Sequence, residues 1–182
     1  MAEALAPLQQ LATLFADRDL KPKEKIDALA ALIVSGKVAV GEVVTFASTA
    51  KDPVKASCIE AIERLASNAP EHVPAAAMDF CIASLSDKAP RIKWESAKVI
   101  GHCIHLHPKK VNEAVSALLD NTEHEGTVVR WSAAYALSRI AAMALPLNRT
   151  LIPALEAIAV REEKNSIRKI HVAAINATRR AK

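Results

Sequence analysis

The segment Gly101-His-Cys-Ile-His-Leu-His-Pro108 crowds three imidazoles, His102, His105 and His107, around the thiol of Cys103. Imidazoles at i and i+3 on a helix can share a metal ion, so zinc is the chemistry to consider first. The surroundings argue against it. Cys103 falls on an apolar helical stripe, and His107 stands at a proline-terminated helix end, where an imidazole also suits the helix dipole. No fourth ligand of known proximity follows, so neither a metal nor a cofactor is assigned. Nucleophile elbows, glycine-rich phosphate loops and the HExxH pattern are absent, and no catalytic residue is expected. A different set remains: Trp94, Lys98, Trp131 and Tyr135. Aromatic rings with a cationic neighbour offer large rigid area with a polar edge, the residue types that dominate binding hot spots. The chain's two tryptophans and single tyrosine all fall in this small region.

The elements that carry them repeat. Lys93–Ile100 reads K-W-E-S-A-K-V-I, and thirty-seven residues later Arg130–Leu137 reads R-W-S-A-A-Y-A-L. Two more copies align with these, Val54–Ile62 before and Ile167–Ile175 after. Their first residues, Val54, Ile92, Val129 and Ile167, are 38, 37 and 38 apart, and each is followed by a base: Lys55, Lys93, Arg130 and Arg168. A period of this length marks a unit that must stack on copies of itself to bury its apolar face. Between the copies lie second helical segments near Glu71–Ser86, Lys109–Leu119 and Arg149–Val160, so each unit is a helix pair. Helices near Ala2–Ala16, Pro22–Val34 and Val40–Thr49 make a divergent N-terminal part. Asp52 before Pro53 reads as an N-cap, as do Thr127 and Asn148 before their helices. Pro70, Pro90 and Pro108 fall where helices stop or start.

Composition agrees with closely packed helices: 51% hydrophobic, only 3% aromatic, four glycines. At 182 residues a single domain is expected over 1–182, with 1–51 divergent and 52–182 regular. No apolar run approaches the roughly 18 residues that cross a bilayer, and the N-terminus lacks the pattern of a secretory signal, so a cytoplasmic protein without a membrane partner is expected. Cys58, Cys81 and Cys103 lack a CxxC spacing and read as buried thiols. The net charge of +4 is modest, although seven bases against two glutamates stand between Arg161 and Lys182.

Asp87-Lys-Ala-Pro-Arg-Ile-Lys93, followed by Ser96-Ala-Lys-Val-Ile100, resembles the HEAT repeat, in which an acidic residue and a turn precede an aliphatic-basic pair opening the second helix. Glu162-Glu-Lys-Asn-Ser-Ile-Arg168 repeats the phrase. The resemblance covers roughly residues 21 to 182. It implies an all-α, right-handed α-α superhelix of four to five helix pairs, nine or ten helices in all, with the second helix of each pair lining the concave side. That places Trp94, Lys98, Trp131 and Tyr135 in one groove. HEAT proteins mostly act as scaffolds and adaptors, so the expected function is non-enzymatic reception of a protein or peptide. The alternative is a nucleic-acid partner, in the manner of the HEAT-like DNA alkylation-repair glycosylases, with Glu95 beside Trp94 as the carboxylate.

On a wheel of 100° per residue, Val129, Ala133, Ala136, Leu137 and Ile140 form one stripe. Its equivalents are Ile92, Ser96, Val99, Ile100 and Cys103, and before them Val54, Cys58, Ala61, Ile62 and Leu65. The bases beside the stripe are expected to bond the acidic residue or carbonyls of the preceding turn, with Asp87–Lys93 and Glu162–Arg168 as the pairs. The column Cys58, Ser96, Ala133 is small throughout. Ala133→Trp should therefore overpack it and destabilise the domain by about 1–3 kcal/mol, read as a lowered melting temperature.

Overall fold

The computed structural model describes residues 6–180, and it is helical throughout. Ten α-helices follow one another: α1 (Pro7–Ala16), α2 (Pro22–Val34), α3 (Val40–Thr49), α4 (Asp52–Asn68), α5 (Ala75–Ser84), α6 (Pro90–Cys103), α7 (Val111–Asn121), α8 (Thr127–Ala141), α9 (Asn148–Arg161) and α10 (Asn165–Arg180). Among the described residues there is no strand, and no helix is long and apolar enough to cross a membrane. Residues 2–5 of the first expected helix lie outside the described residues.

Odd and even helices pair in sequence, giving five pairs. The even helices α2, α4, α6, α8 and α10 pack consecutively into one close row, while the odd helices touch one another more lightly. A row of close neighbours lies on the inside of a curve, so the even helices line the concave face. Buried residues from Leu11 to Ile175 form one continuous core. The expected stripe is buried at every position except Val54, which is half-buried.

Three helix starts differ from expectation in a consistent way. Asp52, Thr127 and Asn148 are the first residues of their helices, and Lys51, Gly126 and Leu147 occupy the caps without a side-chain bond. The capping is done from elsewhere. Before α6, α8 and α10 a side chain two residues upstream accepts from the cap amide: Asp87 from Ala89 at 3.0 Å, His124 from Gly126 at 2.9 Å, and Glu162 from Lys164 at 2.8 Å. At α2 and α3 a glutamate in the first turn reaches back, Glu24 to the amide of Lys21 at 2.6 Å and Glu42 to that of Ala39 at 2.7 Å. Pro70 and Pro108 each open a short 3₁₀ turn, which delays α5 and α7 by a few residues.

The basic ladder also bonds differently from the expected pairs. Asp87 binds Lys55 at 2.8 Å, not Lys93. Glu162 binds Arg130 through two contacts, of 2.9 and 3.3 Å, not the Arg168 guanidinium. Lys55, Lys93 and Arg130 reach forward to the next pair, and toward the preceding turn the bases meet carbonyls: Lys93 bonds Leu85 O at 2.9 Å, Arg130 bonds His124 O and Glu125 O at 2.9 Å, and Arg168 bonds Glu162 O at 3.1 Å. Lys93 finds a histidine, His124, where its neighbours find a carboxylate, and it takes Asn121 Oδ1 at 3.0 Å instead. Lys25, bonded to Phe15 O at 2.8 Å, is the divergent N-terminal member.

Burial pushes the Glu162 carboxyl up, but bonds from Arg130 and the Lys164 amide outweigh it, and its pKa lies below the ordinary 4.5. A carboxyl depressed in the folded state contributes stability that is fully present above its unfolded pKa and is lost as pH falls through the folded one. Glu162→Gln should therefore be less stable than the parent at neutral pH by about 1.5–3 kcal/mol, as loss of a hydrogen bond to a charged group implies. The deficit should shrink below about pH 4.5. Denaturant unfolding at pH 7 and at acid pH measures both.

Candidate binding groove

The period of 37 or 38 residues becomes a grid on the concave face. Three positions spaced by four along each inner helix point to the same side. They are Ala56, Glu60 and Arg64 on α4; Trp94, Lys98 and His102 on α6; Trp131, Tyr135 and Arg139 on α8; and Lys169, Ala173 and Ala177 on α10. All four expected site residues lie in two adjacent columns of this grid.

A bonded chain crosses the middle columns. The Trp94 indole N–H donates to Glu95 Oε1 at 2.8 Å, and Lys98 Nζ donates to Glu95 Oε2 at 2.8 Å and lies 3.5 Å from Glu63 Oε2. His102 Nε2 stands 3.2 Å from Glu63 Oε1, and its Nδ1 is 3.2 Å from the Tyr135 hydroxyl. One tautomer satisfies both contacts, with Nε2–H donating to Glu63 and the phenol donating to Nδ1. Tyr135 meets the His102 ring edge-on at 5.5 Å between centroids and stacks on Trp131 at 5.9 Å, with only 4° between the planes. Toward the N-terminus the chain continues as ion pairs from Asp27 to Arg64, Arg64 to Glu60 and Glu60 to Arg91.

Burial alone would lower the Lys98 pKa, but its two carboxylates raise it above the ordinary lysine value, so it stays charged. Burial raises the pKa of the Tyr135 phenol, which stays neutral and able to donate. Glu95 is only 5% exposed, and both its oxygens are engaged.

The two tryptophans differ. Trp94 is half-buried and bonded, whereas Trp131 is 40% exposed and, among the described residues, its indole N–H meets no acceptor. Gly101 explains the position of the Tyr135 ring: a Cβ there would stand 2.4 Å from Tyr135 Cε1, so the ring lies directly on the α6 backbone. The histidine cluster separates. His102 belongs to the groove, His105 is exposed, and His107 Nε2 lies 3.3 Å from Val73 O at the back of α6. Among the described residues no three His, Cys, Asp or Glu side chains converge as metal ligands.

Glu63, His102 and Arg139 are groove residues that the sequence reading did not select. His102 and Arg139 were legible as the i+4 successors of Lys98 and Tyr135; Glu63 carried no comparable signal.

No protein-family model and no curated protein matches the sequence. Solved structures do. A designed armadillo repeat protein in complex with a (KR)4 peptide superposes with a TM-score of 0.75 over 95% of this chain and 82% of that one, at 21% identity. Computationally designed armadillo repeat proteins for modular peptide recognition give 0.72 over 93% and 81%, at 20% identity. The complex of CpcE and CpcF of phycocyanin lyase from Nostoc sp. PCC7120 gives 0.72 over 94% of this chain and 99% of that one, at 20% identity. The chain is a helical repeat solenoid. At these identities the likeness is one of fold, with armadillo and HEAT-like architectures equally near.

Gly101→Ala tests the seating of the aromatic pair. The alanine favours the helix by up to about 1 kcal/mol, which offsets much of the strain of pushing the ring aside. The melting temperature should therefore change little, while Trp131 fluorescence shifts and becomes more accessible to a neutral quencher as Tyr135 leaves the stack.

Proposed function

We propose that this single repeat domain is a non-enzymatic binding scaffold that receives a protein or peptide segment in its concave groove. Trp131 and Tyr135 form the contact surface, and Trp94 and Lys98 hold it in place. The observation that carries the reading is the exposed Trp131 ring, stacked on a tyrosine that Gly101 and His102 fix. A preorganised aromatic surface loses little freedom on binding, so its contact area converts into affinity. The designed armadillo proteins that share the fold, one of them solved with a (KR)4 peptide, support a peptide as the occupant.

The glycosylase-like alternative is disfavoured by Glu95. Enclosed and committed to Trp94 and Lys98, it offers no free oxygen to a nucleotide. The three free thiols are buried, and burial pushes those of Cys58 and Cys103 up to about 12, which leaves them unreactive and suits a reducing, cytoplasmic setting.

The two tryptophans should separate in experiment. Trp131→Ala should leave the melting temperature nearly unchanged and abolish peptide binding, measured by fluorescence anisotropy. Trp94→Ala should cost about 1–3 kcal/mol, because it strips a donor from the buried Glu95 carboxylate. Strong destabilisation by Trp131→Ala with protected, blue-shifted emission from that ring would defeat the groove reading.

A further inference from the structure

We infer that the groove's occupant is an acidic peptide whose carboxylates lie over α8 and α10, a statement that rests on the groove reading above. The two halves of the concave face differ in charge. Over α2, α4 and α6 the carboxylates of Asp27, Glu60, Glu63 and Glu95 are matched by Arg64, Arg91 and Lys98, so that half is close to neutral and internally satisfied. Neither α8 nor α10 contains an aspartate or glutamate. In the turn before α10, Glu162 is closed off by Arg130, and Glu156 of α9 is taken by Arg179.

Besides Arg180 at the end of α10, the exposed cations of α8 and α10 without a carboxylate partner among the described residues are Arg139 and Lys169. They bracket the aromatic pair. Arg139 follows Tyr135 by one turn on α8, and Lys169 holds on α10 the grid position that Trp131 holds on α8. Beside them α10 presents Ala173 and Ala177, both exposed and too small to fill the space next to Tyr135 and Arg139. A guest that lies on the rings thus meets two unneutralised positive charges and, at its edge, the free Trp131 N–H, all of them suited to carboxylate acceptors. A continuous nucleic-acid strand fits less well. It would carry its phosphates onward over Glu60, Glu63 and Glu95.

The test is selection of a random dodecapeptide library displayed on phage against the wild-type protein, with counter-selection on Trp131→Ala, followed by affinity measurement of the enriched peptides and of the oligonucleotide dT12. The expected result is enrichment of Asp and Glu, with affinity falling at least tenfold in Arg139→Glu/Lys169→Glu at an unchanged melting temperature. Arg139→Gln/Lys169→Gln provides the same reading with a smaller loss should charge reversal disturb folding. Trp131-dependent peptides that are basic or uncharged would overturn the acidic occupant and leave the groove reading intact. Absence of any Trp131-dependent peptide would remove both. Binding of dT12 more tightly than any enriched peptide, lost on charge reversal, would overturn the inference in favour of nucleic acid.

Discussion

Cys58, Ser96 and Ala133 are each fully enclosed, and nothing larger than a thiol stands at this position on α4, α6 or α8. Small side chains let helix axes approach closely, and close approach on one side of a stack of pairs bends it. The close inner row, the concavity it makes and the interlocking of side chains across it all depend on this column. The fourth member breaks the rule. His171 occupies the position on α10, buried with both ring nitrogens unpartnered, and burial pushes its pKa down. Here α10 packs less extensively on α8 than α6 does. A ring where its equivalents carry one or two heavy atoms accounts for the looser fit at the end of the row.

The turns couple the pairs in one direction. Asp87 and Glu162 each hold the cap amide of the helix they precede and also accept a base from the pair before. Replacing such a residue therefore removes a cap and an inter-repeat bond together. At the middle turn the two tasks are divided: His124 caps Gly126 and Asn121 receives Lys93. Asn121, itself buried, also donates to Leu85 O and ties the end of α7 to the turn before α6. The division keeps the ladder continuous where the carboxylate is missing.

Periodicity made the stripe, the helix pairs and the concave placement of the aromatics legible, because those follow from which residues recur at 37 or 38. What stayed hidden depends on neighbours across helices. Asp87 lies six residues before Lys93 in sequence, yet it bonds Lys55, thirty-two residues earlier, because the base points toward the next pair. Asp52, Thr127 and Asn148 are cap-type residues that each open their helix one residue late, and at α8 the cap amide is satisfied by His124 from upstream in the turn. His102, read as a metal candidate from its local spacing to other histidines, takes its role from Glu63 and Tyr135 on flanking helices.

The two tryptophans show how one position of a repeat takes two environments. Trp94 and Trp131 occupy the same position in successive units. Beside Trp94 stands Glu95, which captures its indole N–H and Lys98. The equivalent residue beside Trp131 is Ser132, a buried hydroxyl that donates to Val129 O and turns away from the ring. With no carboxylate in α8, the Trp131 indole keeps a free donor, and Arg139 has no acidic partner on its own helix. One glutamate present in the second regular unit and absent from the third thus separates a ring that fastens the inner face from a ring that stays exposed on it.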